Sequence, residues 1–256
     1  MFDDWCDEGV EEAGRKRLWR FTEKPGGRAE IRNELCGRLR DHYRSAERIA
    51  DDVEALGYPG AAAILQELLP RTATARSGDL GEALAAEVIE EKSSFRVPIR
   101  RLRYKDSREM ALRGDDFIGL RVDDEGNLHL LKGESKSRAA LAAAVVVEAR
   151  AALSRDDGRP TPSSLLFVSD RLLEAGGADE QLGRAVRDEV AQMAVPAARI
   201  DHVLFTLSGN PAVEALRTDL MNADALRTHT SINLRIVDHQ AFIADIYAGA
   251  AELGDD

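Results

Sequence analysis

Apolar residues recur at steps of three and four from Ile31 through Leu35, Leu39, Tyr43, Ala46, Ile49 and Val53 to Leu56. That spacing predicts one long helix over residues 28–56, ended by Gly57 and Pro59. A shorter helix is expected over 61–69, stopped by Pro70, and the polar stretch 72–77 reads as a connector. Ser77 or Asp79 is placed to cap a further helix from about Leu80 to Lys92, with Leu80, Leu84 and Val88 on its apolar side. The period then changes to two. Phe95, Val97 and Ile99 alternate with basic residues, as in a half-buried strand. Residues 117–122 and 128–131 read as two strands joined by the turn Asp123-Asp124-Glu125-Gly126-Asn127, an antiparallel hairpin. An alanine-rich helix over 138–153 and a loop over 155–162 follow. Residues 164–174 fit a helix closed by Gly176-Gly177, although periodicity alone also admits a strand over 165–168. The remainder reads as helix 182–193, strand 201–207, helix 213–220, strand 232–237 and helix 240–253. This order predicts an α/β (α+β) fold, a mixed central sheet flanked by helices, with an N-terminal helical region over 1–72 preceding a domain over 73–256.

Composition narrows the class. A chain of 256 residues, 44% hydrophobic and 32% charged, is that of an ordinary globular protein with room for a sizeable core. No apolar run approaches the roughly 20 residues of a membrane helix, and the acidic opening stretch does not fit a secretory or mitochondrial address. Cys6 and Cys36 stand far apart without metal-ligand spacing, which fits a reducing compartment. A cytoplasmic protein is expected. The net charge of −11 argues against a general nucleic-acid coat protein, because phosphate binding is driven by cations. The charge is uneven, however. Residues 95–113 hold seven basic side chains against two acids, whereas the first twelve residues hold six acids and no base. A basic stripe of this kind binds a polyanion locally or is merely a solvated strand face; the acidic residues 1–12 would compete with DNA for it. The five histidines show no ligand spacing, and neither a phosphate-binding Gly-rich loop nor a serine-nucleophile elbow is present.

The chemistry concentrates in Gly114-Asp115-Asp116 and Gly133-Glu134-Ser135-Lys136. Side chains alternate along a strand, so Glu134 and Lys136 share a face, and antiparallel pairing brings the end of that strand back to Asp116. Two carboxylates and an ammonium at one end of a sheet suit Mg²⁺, which takes one or two carboxylates together with waters and substrate phosphate. Such an ion polarises a phosphodiester, and Lys136 would stabilise the charge that develops on it. Glu82, on the preceding helix, would join as a further ligand. Asp115 and Asp116 both remain candidates, with Asp116 preferred because it directly precedes the apolar strand residues.

Asp116, then Glu134-Ser135-Lys136, with Glu82 on an upstream helix, resembles the core signature of the PD-(D/E)xK nuclease superfamily. Gly78-Asp79-Leu80-Gly81-Glu82, Pro98 to Tyr104, Gly114-Asp115-Asp116 and Gly133 to Ser137 further resemble the HamA family, nuclease subunits of the Hachiman anti-phage defence system, chiefly over residues 75–150. The resemblance implies a restriction-endonuclease-like fold and a deoxyribonuclease of low sequence specificity that uses Mg²⁺, with Mn²⁺ as a substitute. It implies two partners, DNA and a HamB-like helicase that restrains the nuclease. Catalysis would rest on Glu82, Asp116, Glu134 and Lys136, with Asp116, Glu134 and Glu82 at the metal. DNA would meet Arg96, Arg100, Arg101, Arg103, Lys105 and Arg138. The alternative is a catalytically inactive nuclease-fold module that binds and regulates a helicase through its N-terminal region.

Overall fold

A computed structural model describes residues 1–253. The chain runs α1 (Phe2–Trp5), β1 (Cys6–Ala13), β2 (Lys16–Glu23), α2 (Gly27–Tyr43), α3 (Ala46–Leu68), α4 (Ala73–Lys92), β3 (Phe117–Val122) and β4 (Leu128–Arg138). It continues α5 (Ala143–Ser154), α6 (Pro162–Ala175), α7 (Ala178–Gln192), β5 (Ile200–Ser208), α8 (Val213–Asn222), β6 (His229–Arg235) and α9 (His239–Ala251). The six strands form one mixed sheet in the order β1-β2-β6-β5-β4-β3. The four inner strands are mutually parallel, and an antiparallel partner closes each edge.

Helices cover both faces. On one, α4 packs Leu80, Leu84 and Val88 with α2 and α9 against Val203, Phe205, Ile232 and Leu234. On the other, α5 and α8 cover Leu18 and Leu204, while α6 and α7 cover Ile118, Leu130 and Ile200. Alternate residues of β5 therefore serve different cores, as a strand buried on both faces requires. No helix among the described residues is long and apolar enough to cross a membrane.

Several expectations are corrected. Residues 6–23, expected in a purely helical region, supply two strands of the central sheet, with Trp5 and Phe21 in its main core. The acidic opening stretch is therefore no free tail. Glu8 pairs with Lys92 and Glu11 with Arg217, so residues 1–12 do not compete for the 95–113 segment. The long helix over 28–56 ends at Tyr43, and a new helix starts at Ser45, whose side chain accepts from the Arg48 N–H. That second helix then passes through a kink at Gly57 (φ 71°) and absorbs the separate helix expected over 61–69. The connector over 72–77 is the first turn of α4, because Thr72 rather than Ser77 or Asp79 provides the cap. Residues 95–99 form only an isolated bridge, Arg96 to Leu120, instead of a strand. The hairpin of β3 and β4 and the helix over 162–175 agree with the sequence pattern.

Candidate active site

The sheet edge formed by β3 and β4 brings the expected residues together through three local devices. The first is glycine. Gly81 lies inside α4, where a Cβ would come within 2.9 Å of Ser135 Oγ and 3.2 Å of Ser137 Cβ. Only a residue without a side chain lets the helix lie this close to β4, and the next residue is Glu82. The second is a hydroxyl relay. Ser77 Oγ donates to Ser137 Oγ at 2.8 Å, and Ser137 Oγ meets His239 Nε2 at 2.9 Å, tying α4, β4 and α9 at one point. The third is the register of the hairpin. Phe117 pairs with Gly133, so Asp116, one residue earlier, reaches the strand backbone beyond, where its Oδ2 accepts the Ser135 N–H at 2.8 Å.

Glu134 is buried and its Oε1 accepts from Lys136 Nζ at 2.7 Å. The acids around it are short of positive charge. Burial first, and the neighbouring Glu134 second, push the Asp116 carboxyl up to about 7. Burial, Asp116 and Asp79 together hold Glu82 well above the usual carboxylate range. Burial alone would lower the Lys136 ammonium, but its hydrogen bond to Glu134 and the nearby acids carry it above its ordinary value. Glu82 has no hydrogen-bond or ion-pair partner among the described residues, and the buried Ser135 hydroxyl is likewise unpaired. Glu82 and Asp116 line a narrow cleft with Arg101, Leu102 and Phe117.

A divalent cation fits this donor set. Hard oxygens whose charges repel each other at neutral pH are what such an ion relieves. Among the described residues, no three side chains of the histidine, cysteine or carboxylate type stand together so that they could hold a metal ion, so Glu82, Asp116 and Glu134 do not make a three-carboxylate site as they lie. Mg²⁺ commonly takes only one or two carboxylates and completes its shell with water and substrate phosphate.

Asp115 points elsewhere. Its Oδ2 accepts the Thr161 N–H at 2.7 Å and its Oδ1 lies 3.6 Å from Lys132 Nζ. The basic segment is largely committed within the fold. Lys105 is buried against Asp79 at 2.7 Å, and Arg101 is buried, donating to the carbonyls of Asp115 and Arg113. Arg100 pairs with Glu87 and Glu90, and Arg103 with Asp41. Arg96, which meets Asp179 at 3.2 Å, and Arg138 are the exposed members of the expected DNA-binding set.

Sequence reasoning missed the support beneath Glu82. Asp79, one turn earlier on α4, accepts from Lys105 and from Tyr43 Oη at 2.6 Å, and Tyr43 Oη meets Tyr247 Oη at 2.9 Å. The spacing of Asp79 and Glu82, three residues apart on one helix face, is the signal that could have found it.

Comparison with known proteins shows the family. A family model described as HamA matches residues 1–250 of the chain. The Hachiman protein HamA of Bacillus cereus is 26% identical over 180 residues, which span 70% of this chain and 62% of that relative.

Proposed function

Because the chain belongs to the HamA family, we propose that it is a metal-dependent deoxyribonuclease of low sequence specificity, the effector of a Hachiman-type anti-phage system. The observation that carries this reading is the meeting of Asp116, Glu134 and Lys136 at one sheet edge, with Glu82 beside Asp116 on the α4 side and both Glu82 and Asp116 driven towards neutrality by burial and by neighbouring carboxylates. In this reading Asp116 and Glu134 would hold Mg²⁺, with Glu82 as a further candidate ligand, and Mn²⁺ would substitute for it. The bound ion supplies a positive charge that polarises the scissile phosphodiester. Asp116 must give up any proton it carries before it can serve as a ligand, so loading strengthens as pH rises through about 7. Lys136, held by Glu134, would turn a hydrogen bond towards the phosphoryl oxygens as negative charge grows there. The Asp116–Ser135 hydrogen bond keeps the two strands in register during that step.

Contacts of this kind address the backbone of DNA and carry no base information, which is why sequence specificity should be low. A helicase partner of the HamB type restrains the nuclease and delivers its substrate. Family membership and the small number of free cations near the cleft both support that arrangement.

Purified chain with Mg²⁺ is expected to nick and degrade plasmid DNA, and EDTA to stop it. Glu134→Gln and Lys136→Met are each expected to lower the rate by about a hundredfold or more, the scale of losing one preorganised charge contact. Wild-type rates in both variants would leave the fold as a helicase-binding module without chemistry of its own.

A further inference from the structure

A second groove lies away from the cleft. It crosses the α4 face of the sheet near the N-terminal ends of the parallel strands, with a cavity of about 430 Å³, within the size range of small-ligand sites. Trp19, Thr230 and Leu131 form part of its floor, and α4 ends at its wall. It stands apart from Glu134: Leu131, on its floor, sits three residues earlier on β4 and faces the opposite side of the sheet from Glu134.

Three arginines face this groove with donors to spare. Arg15 uses one nitrogen on the carbonyls of Ala198 and Leu226, the latter at 2.9 Å. Arg17 meets Glu12 at 3.2 Å in a pair whose side chains are 45% and 57% exposed, so solvent screens it and an incoming anion can replace it. Arg121 lies 5.2 Å over the Phe95 ring and shares one nitrogen with His129 at 2.8 Å, while its Nε is buried without a partner. The remaining cation, Lys92, is already occupied by Asp3 and Glu8.

One acid interrupts this positive lining. Asp201, paired in register with Leu131, sits half-buried among the groove residues. Burial holds its carboxyl above the ordinary range although Arg121 and His129 oppose the shift. A carboxylate there repels a bare polyphosphate. It accepts hydrogen bonds from a ligand that also carries N–H groups. A flat aromatic surface beside Trp19, an acceptor on the floor and arginines at the rim together describe a nucleotide. The base would lie on the indole, its N–H edge at Asp201 and its phosphate between Arg17 and Arg121.

We infer that this groove is a second ligand site, one that binds a free nucleoside phosphate with an N–H-bearing base edge. The inference stands apart from the nuclease reading, since none of its residues belongs to the cleft.

Titration of the full chain with GMP, followed by tryptophan fluorescence, tests it, because Trp19 lines the groove whereas Trp5 is fully buried. Saturable quenching is expected, with GMP binding at least about tenfold more tightly than pyrophosphate in competition. Arg17→Gln with Arg121→Gln should weaken GMP by at least about tenfold, and Asp201→Asn should erase its advantage over pyrophosphate. Arg17→Gln alone, at an exposed position, keeps the measurement available if the Arg121 change disturbs folding. Three results would overturn the site: no saturable response up to about 5 mM GMP, undiminished binding in the arginine variants, or pyrophosphate matching GMP in the wild type. The last would mean a cationic patch that takes any anion.

Discussion

Asp116 shows what a candidate ligand costs a fold that must hold it without its ion. Its carboxyl titrates at about 7 in the folded chain against 3.8 as a free side chain. The native state therefore binds the extra proton between those values. The stabilisation from that proton is complete below about 3.8 and is lost as pH rises through about 7. In EDTA, the melting temperature should accordingly fall between pH 5 and pH 8. Asp116→Asn should remove most of that fall and melt higher than the wild type at pH 8, by about 2–4 °C for each kcal/mol relieved. Mg²⁺ should stabilise the wild type more at pH 8 than at pH 5.5, since protons and the ion compete for the same oxygens. Calorimetric scans of both proteins decide the matter. A variant no more stable than the wild type at pH 8 would mean that Asp116 is already compensated, and the case for an ion there would fall. Glu87 supplies a contrast: hydrogen bonded by His42 and Arg38, which outweigh its burial, it is held down at about 2 and needs no further cation.

Between α4 and β4, the site depends on a spacing and not on any single contact. Gly81→Ala would push a methyl group against Ser135 and against Ser137, whose hydroxyl relay to Ser77 and His239 leaves the strand little room to yield. The expected result is a folded protein, destabilised by about 1–3 kcal/mol as for other overpacked positions. Its DNA cleavage should fall further than that destabilisation explains, because Glu82 is carried away from Asp116. Cleavage unchanged at a temperature where the variant is fully folded would show that Glu82 need not stand so close. The same elements explain what the sequence disclosed. The β3–β4 hairpin was legible because its apolar runs, its turn and both its acids lie within one contiguous stretch, so pairing followed from local signals alone. The strands over 6–13 and 16–23 were not. β1 is an edge strand carrying Asp7, Glu8 and Glu12 on exposed positions, and without an apolar alternation it looks like a solvated tail. Its place depends on pairing with β2, which in turn depends on β6, more than 200 residues away. The basic run over 95–113 misled for the converse reason. Its partners, Asp41, Asp79 and Glu87, lie on α2 and α4, and a linear pattern cannot show that an arginine is already spoken for.

At the scale of the whole molecule, a net charge of −11 would meet, in the proposed DNA substrate, a dense polyanion. Near the cleft, Arg100, Arg103 and Lys105 are neutralised internally, which leaves Arg96, Arg113 and Arg138 as exposed cations. Each phosphate neutralised releases counterions and adds about −0.9 to the slope of log affinity against log salt for duplex DNA. Two or three exposed arginines therefore imply weak binding with a slope of about −2 to −3. Anisotropy titrations of the isolated chain on a labelled duplex, across a salt series in EDTA, measure that slope directly. A value near −6 or steeper would mean that the buried pairs open on DNA, Lys105 leaving Asp79 and Arg103 leaving Asp41, so that the basic segment reads phosphates after all. A shallow slope carries a functional consequence. If the proposed nuclease barely holds DNA alone, it would cut slowly at cellular salt, and its rate would be set by whatever raises the local concentration of substrate at the cleft. A translocating partner that feeds strand past Arg96 and Arg138 would do so without any change in the chemistry of Glu82, Asp116, Glu134 and Lys136, and restraint would require only that the feeding stop.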